Sequence, residues 1–474
     1  MKRSLIFCLT FVFVASTVYS QEANFGALAR PTVEAYSFNM IGAGARSIGM
    51  GGAYYGVSDD VTAASWNPAG LVAIEEPAMS VSYRNFAAGG QYRFGGYPPF
   101  APARDFAHSG SVTGISSAAF AAPVRIKGHE FVGSASLTRH SDEFEQLGVD
   151  IQFDSIFFVA SGAQEAFDTI SIFEHQDSRK QGSISSVDFG FGTRMYDKLS
   201  VGMSINVYMG QTQRHTSVTD ISNGVTFLDP FGQTMDLVQT INVLDTNRWR
   251  GVNFTLAGKI DGERLDAGLV IRTPFTLKSN TTRSLFQVLY RNGLPSDDGS
   301  DTTYFIDLQV LYKMPLMIGA GVAYKLNDNT TLALDADFRN FGSSSASVRD
   351  SLIINPDGSN ESFTTEDTTV AWKSVFTVRG GIEKMLNTKY GRIPIRAGAS
   401  VLPYPNPINT FDQSTLSTSQ KTPVQYSFSL GTGIWWGQIK LDAAYTFTAL
   451  TIDDGIGQNR NRNSAFSLGF TGVF

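Results

Sequence analysis

The chain ends in Ser464-Ala-Phe-Ser-Leu-Gly-Phe-Thr-Gly-Val-Phe474, and this stretch decides the expected fold. Its apolar side chains share one parity, whereas serine, glycine and threonine occupy the other; the apolar set is Phe466, Leu468, Phe470 and Phe474. A period of two places the two sets on opposite faces of a β-strand. A terminal strand with one aromatic face is typical of a closed barrel whose last strand pairs with the first and faces lipid. We therefore expect an all-β fold, a transmembrane antiparallel up-and-down β-barrel.

The same alternation recurs along most of the chain. In residues 201–209 every odd position is apolar, and the even positions are Gly202, Ser204, Asn206 and Tyr208. This template predicts about 14 strands between residues 78 and 474, separated in turn by short turns and by long polar loops such as 141–182 and 214–247. A β-sandwich also alternates, but it has no reason to sort its loops by length. The loop pattern therefore favours the barrel, with short periplasmic turns and long external loops.

Tyrosine and tryptophan residues near the predicted strand ends are expected to lie at the membrane interfaces. A ring at the edge of a membrane buries its apolar body and keeps one polar atom hydrated. Side chains of this kind are predicted at the two interfaces, namely Tyr83, Tyr196, Tyr324, Trp372, Trp435, Trp436 and Tyr445.

The first 20 residues resemble a secretory signal peptide. Basic Lys2 and Arg3 precede an apolar run, and small or polar residues lead to an expected cleavage site after Ser20. The only cysteine, Cys8, lies in this segment, so the mature chain is expected to contain no disulfide or thiol metal site. Loss of Lys2 and Arg3 changes the formal net charge from −6 to −8, which argues against nucleic acid as a partner.

Residues 21–77 do not alternate and are rich in glycine. A compact segment of this length before a wide barrel can fill the lumen or hang in the periplasm. An empty lumen in a barrel of this size would leak, so we expect a plug. The predicted domains are the signal peptide 1–20, a hatch or plug 21–77, and the barrel 78–474.

Three stretches near the front resemble the N-terminal hatch of the FadL/TodX family of outer-membrane transporters. They are residues 45–53 (ARSIGMGGA), 57–60 (VSDD) and 65–71 (SWNPAGL). Further similarity lies in residues 314–325, 334–337, 395–399, 403–407 and 441–445. The resemblance implies a hatch-plugged barrel of 14 strands that passively moves long-chain fatty acids or aromatic hydrocarbons across the outer membrane.

The resemblance and the glycine content together predict the gating residues of the hatch, which are Gly49, Gly51, Gly52, Trp66, Asn67, Pro68 and Ala69. Apolar stretches of the long loops and inward-facing arginines predict the substrate contacts, which are Phe157, Phe158, Leu285, Phe286, Arg339 and Arg396. The arginines are candidates for neutralising a carboxylate, but the sequence favours pairing with lumenal acids such as Asp188 or Asp337.

Catalytic and metal sites are not expected. The five histidines are scattered without a metal-ligand spacing, and no nucleophile elbow is present. We expect neither an enzyme nor a cofactor. Expected partners are a hydrophobic ligand, outer-membrane lipid with lipopolysaccharide, and the barrel-assembly machinery through the strand that ends at Phe474.

Two other functions share the same motifs. A FadL-like barrel can serve as a scaffold for a protein secretion system, and a general porin would conduct without a plug. The hatch stretches do not separate the transporter from the scaffold.

Overall fold

The structure is a computed structural model. It describes residues 42–94, 104–127, 129–161, 164–225, 235–291, 294–295, 302–354, 359–363, 368–369, 372–405, 407–412, 417–453 and 457–474. The predicted signal peptide and the first part of the predicted hatch, residues 1–41, lie outside the described residues.

The described chain is dominated by β-strands. They are β1 (Ala78–Phe94), β2 (Arg104–Ile126), β3 (His129–Ser161), β4 (Gln164–Tyr196), β5 (Leu199–Val225), β6 (Met235–Ile260), β7 (Leu265–Arg272), β8 (Phe275–Arg291), β9 (Leu294–Pro295), β10 (Thr302–Met314), β11 (Met317–Asn327), β12 (Thr330–Arg339), β13 (Ser345–Ile354), β14 (Asn360–Phe363), β15 (Thr368–Thr369), β16 (Val375–Thr388), β17 (Gly391–Pro403), β18 (Ile408–Asp412), β19 (Ser417–Lys421), β20 (Val424–Trp436), β21 (Ile439–Asp453) and β22 (Gly457–Val473).

The sheet closes on itself. The first strand, β1, pairs antiparallel with β2 on one side and with β22 on the other, from Ala78↔Val473 to Phe94↔Gly457. The wall consists of 14 antiparallel positions, which we call staves. Three staves are interrupted, so each of them is formed by two consecutive strands: β7 with β8, β10 with β11, and β12 with β13. Because β1 pairs with β22, neither the first nor the last strand is left as a free sheet edge. The predicted fold class is confirmed.

The outer surface carries an apolar band. Along β6 the outward side chains Ile260, Leu256, Phe254 and Val252 are 44–51% exposed. Nine residues at about 3.3 Å each and a tilt of about 40° span roughly 23 Å, close to the height of a lipid-facing band. The last strand contributes its predicted face, with Phe466, Leu468, Phe470 and Phe474 exposed.

Two predicted loops are wrong. Residues 141–182 and 214–247 are largely strand, because β3 and β4 are 33 residues each and β5 and β6 are 27 and 26. Beyond the membrane neither face of a strand needs to be apolar, so backbone pairing continues there without the alternation that marks a strand in sequence.

Two predicted interfacial rings are also wrong. Trp372 is buried in the lumen, and Trp435 faces inward, where the guanidinium carbons of Arg46 and Arg396 lie 5.2 and 5.6 Å from its ring centroid. A position near a strand end does not by itself determine whether a side chain faces the lumen or the outer surface. Tyr196 and Trp436, by contrast, are about 70% exposed at the outer surface.

The segment before β1 lies inside the barrel. It contains helix α1 (Ala45–Gly49), helix α2 (Ala63–Trp66) and a 3₁₀ helix, Pro68–Ala73. Asn67 accepts the backbone N–H of Ala69, and Pro68 begins the 3₁₀ helix, where its missing N–H costs no hydrogen bond. We call residues 42–77 the plug.

No helix in the described part of the chain is both long and apolar enough to cross a membrane.

Candidate functional site

A large apolar cluster occupies the barrel interior on the side of the long external extensions. Its side chains come from seven strands and the segments beside them, and we call it the lumenal apolar cluster: Ile184, Tyr208, Trp249, Leu277, Leu308, Val310, Tyr312, Met314, Phe341, Ala346, Val348, Trp372 and Val375. Phe275 packs against it and stacks on Tyr208 with ring centroids 5.1 Å apart. An inward face of this kind is unusual, because the interior of an outer-membrane barrel is generally polar.

The interruptions of three adjacent staves define the lower edge of this cluster. Below them, one cross-strand row runs Arg272–Met317–Arg339–Val375. Val375 belongs to the cluster, so Arg272 and Arg339 lie at its boundary. We call this row the arginine floor.

The arginine floor is tied to acids one level lower. Asp337 contacts Nε of Arg339 at 2.8 Å and accepts a hydrogen bond from Nη1 of Arg379 at 2.6 Å. Arg272 instead donates to the carbonyl oxygen of Ser65 in the plug, at 2.6 Å. Asp337 therefore bridges Arg339 and Arg379, and Asp335 lies directly opposite Arg379 across β12 and β16. The hydrogen bond of Arg272, by contrast, goes to an uncharged carbonyl oxygen.

The wall has an opening beside the cluster. The strands β2 and β3 pair at His108↔Leu147 and again from Ser117↔Thr138, but residues 109–116 and 139–146, all within the described chain, do not pair. Both segments have eight residues, so the ladder separates without a register slip. We call this gap the wall opening.

Two β-bulges border the wall opening. Ser116 is an extra residue of β2 against β1, and His140 is an extra residue of β3 against β4. A bulge bends its strand and raises the local twist, which separates the two ladders here. The guanidinium of Arg139 reaches across to β2, where a Cβ on Gly114 would lie 3.2 Å from its Nη1 atom.

The wall opening adjoins the lumenal apolar cluster. Ser141, just past the bulge, pairs with Ile184 of the cluster. The His140 ring lies 5.4 Å from that of Tyr208, and its Nε2 is 2.7 Å from the Ser186 hydroxyl. Side chains of the cluster thus extend to the gap.

The plug is held to the wall by a chain of charged groups. Arg46 of α1 donates from Nε and Nη2 to the two carboxylate oxygens of Glu383, at 2.9 and 2.8 Å. Arg396 links Glu383 to Asp442, with both contacts at 2.6 Å. Trp435 donates to Asp442 at 3.2 Å. Such bidentate, charge-assisted contacts fix orientation as well as contributing energy.

A second anchor uses the plug backbone. One carboxylate oxygen of Asp335 accepts the N–H groups of Tyr54 and Tyr55, at 2.6 and 2.8 Å. Burial raises the pKa of the Tyr54 and Tyr55 phenols, so both remain protonated donors at neutral pH. The Tyr54 hydroxyl donates to Asp60 at 2.6 Å.

The plug backbone also touches the wall directly. A Cβ on Gly202 of β5 would overlap the backbone of Pro68 and Ala69, and one on Gly398 of β17 would overlap Met50 and Gly51. These contacts come from opposite sides of the barrel. Wall glycines therefore let the plug backbone approach the wall closely on both sides.

The predicted hatch residues all lie in the plug. Gly51 and Gly52 adopt positive φ of 69° and 78°, which side chains disfavour. Trp66 is buried and donates to the carbonyl oxygen of Ala43 at 2.9 Å. Asn67 donates to the carbonyl of Tyr55 and to that of Gly258 in the wall. Gly49, Pro68 and Ala69 are buried. Their gating role stays a prediction.

The predicted substrate residues are dispersed. The side chains of Phe157 and Phe158 lie outside the described part of the chain. Leu285 and Phe286 lie on β8, and neither belongs to the lumenal apolar cluster. Arg339 is in the arginine floor, whereas Arg396 is enclosed by Glu383 and Asp442 beside the plug. Of the four whose side chains are described, Arg339 alone has a position next to the lumenal apolar cluster.

Sequence reasoning missed the cluster because its residues come from strands with no common motif. One signal was present: Tyr208 and Trp249 occupy the parity that is polar elsewhere on their strands. Among the described residues no group of three or more His, Cys, Asp or Glu is arranged to hold a metal ion.

Comparisons with known proteins identify solved structures that have a similar fold. No family model and no curated protein sequence matches the chain. Among solved structures, a Pseudomonas aeruginosa FadL homologue is 15% identical, with 92% of this chain and 99% of that chain covered and a TM-score of 0.54. The Ralstonia pickettii toluene transporter TbuX is 15% identical, with 92% and 100% covered and a TM-score of 0.54. The P. putida toluene transporter TodX is 12% identical, with 91% and 99% covered and a TM-score of 0.53. The chain therefore has the fold of the FadL and TodX outer-membrane transporters.

Proposed function

We propose that this protein passively transports hydrophobic small molecules across the bacterial outer membrane. The observation that carries the proposal is an apolar, aromatic interior that lies above a seated plug and adjoins a gap in the wall. A polar cargo would gain nothing from such an interior, whereas each buried CH₂ contributes about 0.8 kcal/mol. The structural neighbours named as toluene transporters support the same reading.

The position of the plug favours a lateral route for the cargo, through the barrel wall. Its ion pairs and backbone contacts close the lower lumen, so a straight path to the periplasm requires the plug to be displaced. The wall opening needs no such displacement, because its strands are already unpaired. We propose that cargo moves between the lumenal apolar cluster and the membrane through this opening, and that the plug bars water and ions from the direct path.

Two features bear on the cargo. Ring side chains such as Trp249, Tyr312 and Trp372 suit flat apolar molecules. The arginine floor suits a chain with a terminal carboxylate, since Arg272 has a carbonyl rather than an acid as its partner. Long-chain fatty acids use both features, and we propose them as the preferred cargo over neutral aromatic hydrocarbons.

The remaining parts of the proposal follow from this placement. Residues 1–20 direct secretion and are removed after Ser20, residues 21–77 form the hatch, and residues 78–474 form the barrel. The apolar band then faces outer-membrane lipid, and the strand that ends at Phe474 is recognised by the barrel-assembly machinery.

Uptake into vesicles tests the proposal. The full chain is reconstituted in liposomes loaded with a fatty-acid-binding reporter, and the entry rates of palmitate, hexadecanol and glucose are compared with those of protein-free vesicles. Protein-dependent entry of the two lipids without glucose entry is expected. Equal acceleration of all three would indicate a general porin, and no acceleration would contradict transport.

A scaffold for protein secretion is the second candidate. The long hairpin β3–β4 continues about 15 residues beyond the wall opening, or roughly 50 Å at 3.3 Å per residue, which exceeds what a small cargo needs. A variant with residues 149–177 replaced by a short turn separates the roles. Unchanged lipid uptake together with loss of secretion of other proteins would favour the scaffold.

A further inference from the structure

A group of basic side chains lies on the outer surface of the barrel. Trp249 and Leu277 point into the lumenal apolar cluster, so their neighbours Arg248, Arg250 and Lys278 point outward. Arg248 and Arg250 are exposed and Lys278 is half-buried. We call these three residues the outer basic patch.

The outer basic patch lies directly above the apolar band. Along β6 the outward sequence runs Ile260, Leu256, Phe254 and Val252, and Arg250 is the next outward residue towards the external end. Charged headgroups begin at this level in a membrane. The patch is therefore positioned at the boundary between acyl chains and headgroups of the outer leaflet.

The three cations of the outer basic patch repel one another. Arg250 and Lys278 are direct cross-strand partners, and Arg248 is two residues from Arg250 on the same face. Like charges directly opposite each other destabilise a sheet. Among the described residues none of the three forms an ion pair or a side-chain hydrogen bond with another protein group.

The neighbouring outward positions do not neutralise the patch. Those directly beside it are neutral, namely Met209 and Gln211 on β5, Thr246 on β6, Thr276 and Asn280 on β8, and Leu311 on β10, and the next outward residue of β10, Lys313, is a further cation. The closest acid along β6, Asp245, is turned inward and is bound by Arg283 at 2.6 Å. Within the described part of a chain whose net charge is −6, this basic patch thus has no paired acid.

We propose that the outer basic patch binds the phosphate groups of a phosphorylated glycolipid in the outer leaflet. Arginine binds phosphate oxygens with two parallel N–H groups, and lysine adds a point charge. Cations on two adjacent strands, about 5 Å apart, suit a headgroup with more than one phosphate. The inference rests on the membrane placement in the proposed function, and it is independent of the cargo.

Lipid binding by the purified full chain tests this assignment. Diphosphoryl lipid A, its dephosphorylated form and inorganic phosphate are titrated against the wild type and the variant R248Q/R250Q/K278Q in detergent. The control variant R125Q/R264Q/K384Q removes three exposed cations at the short-turn end of the barrel. Retained heat-resistant migration in gels shows that each variant is folded.

The triple variant of the patch is expected to lose about 100-fold in affinity for diphosphoryl lipid A, since each basic residue near an anionic surface contributes about a factor of five or more. The control variant should stay within about twofold, and added salt should weaken wild-type binding. Equal affinity of the wild type for the dephosphorylated lipid, or equal losses in both variants, would overturn the proposal. Competition by inorganic phosphate as strong as that by lipid A would assign the patch to free phosphate instead.

Vesicle uptake of palmitate separates this inference from the proposed function. The patch variant should transport as the wild type does, because the patch is outside the lumen. Failure of the wild type to transport would contradict the proposed function and leave the lipid-binding result standing. Loss of transport in the patch variant alone would place these cations in the transport route and overturn their assignment to membrane lipid.

Discussion

Arg46 and Glu383 are 337 residues apart in sequence and form a bidentate ion pair inside the barrel, with N–O distances of 2.9 and 2.8 Å. The arginine belongs to the plug and the glutamate to the wall. Both are largely buried, so water screens the contact little. This pair is one reason why the plug has a single orientation in a lumen much wider than its helices.

The first prediction concerns this ion pair. The substitution Arg46→Gln leaves Glu383 buried with one fewer cation, and removal of one partner from a buried pair costs about 3–5 kcal/mol. The plug should become accessible to protease, and ion conductance in planar bilayers should rise. Asp59→Asn removes a more exposed partner of Arg46 and serves as the control with little expected effect. Unchanged conductance in both variants would show that the pair does not hold the plug.

The second prediction concerns the fit between plug and wall. The methyl group of Gly202→Ala would overlap the backbone of Pro68 and Ala69, and backbone cannot move aside cheaply. Overpacking of this kind costs about 1–3 kcal/mol or more. The matched control is Gly258→Ala on the adjacent strand, where the nearest heavy atom would be 4.0 Å away. The melting temperature should fall for Gly202→Ala only. Equal melting temperatures of the two variants would contradict the close fit between plug and wall.

The third prediction concerns the lumenal apolar cluster. Trp249→Ala removes a buried ring from the barrel interior. Because this ring offers apolar contact to the cargo, its loss should lower the affinity for palmitate about tenfold. Phe254→Ala removes an outward ring of the same strand, so it should not alter binding. Fluorescence displacement of a bound fatty-acid analogue measures both. A larger loss for the outward variant would place the binding surface elsewhere.

The fourth prediction concerns the wall opening. In a Cys8→Ser background, cysteines at Gly114 and Ser141 occupy opposite positions if the ladder register is continued across the gap. Oxidation should link the two strands and reduce palmitate uptake, and reduction should restore it. The same pair of cysteines placed at Ala119 and Ser136, which already pair across β2 and β3, provides the control. Full uptake after complete oxidation would exclude the gap as the route.

Much of the fold was readable from residue order. The alternation in residues 201–209 and in the last strand predicted outward and inward faces, because a strand must present successive side chains to opposite sides. The prediction failed in residues 141–182, since hairpins outside the membrane need only backbone hydrogen bonds. It also failed for Trp372, which lies in the lumenal apolar cluster although it is close to a strand end.

The candidate site was much less readable. Asn67 and Pro68 stood out in sequence because their local chemistry forms a corner, and the structure shows Asn67 capping the 3₁₀ helix. Arg396 looked equivalent to Arg339, yet one is enclosed by two carboxylates and the other borders the apolar interior. Parity gives the face of a side chain and says nothing about its partner across the lumen.

Residue order by itself determined the barrel, the number of its staves and the presence of a separate leading segment, because these depend on short-range periodicity and on turn length. Only the tertiary structure decided which inward side chains meet, where two ladders part and how the plug is held. The contacts of the plug join residues hundreds of positions apart, and the separation of β2 from β3 coincides with bulges; both depend on barrel closure and on strand geometry that no local pattern encodes.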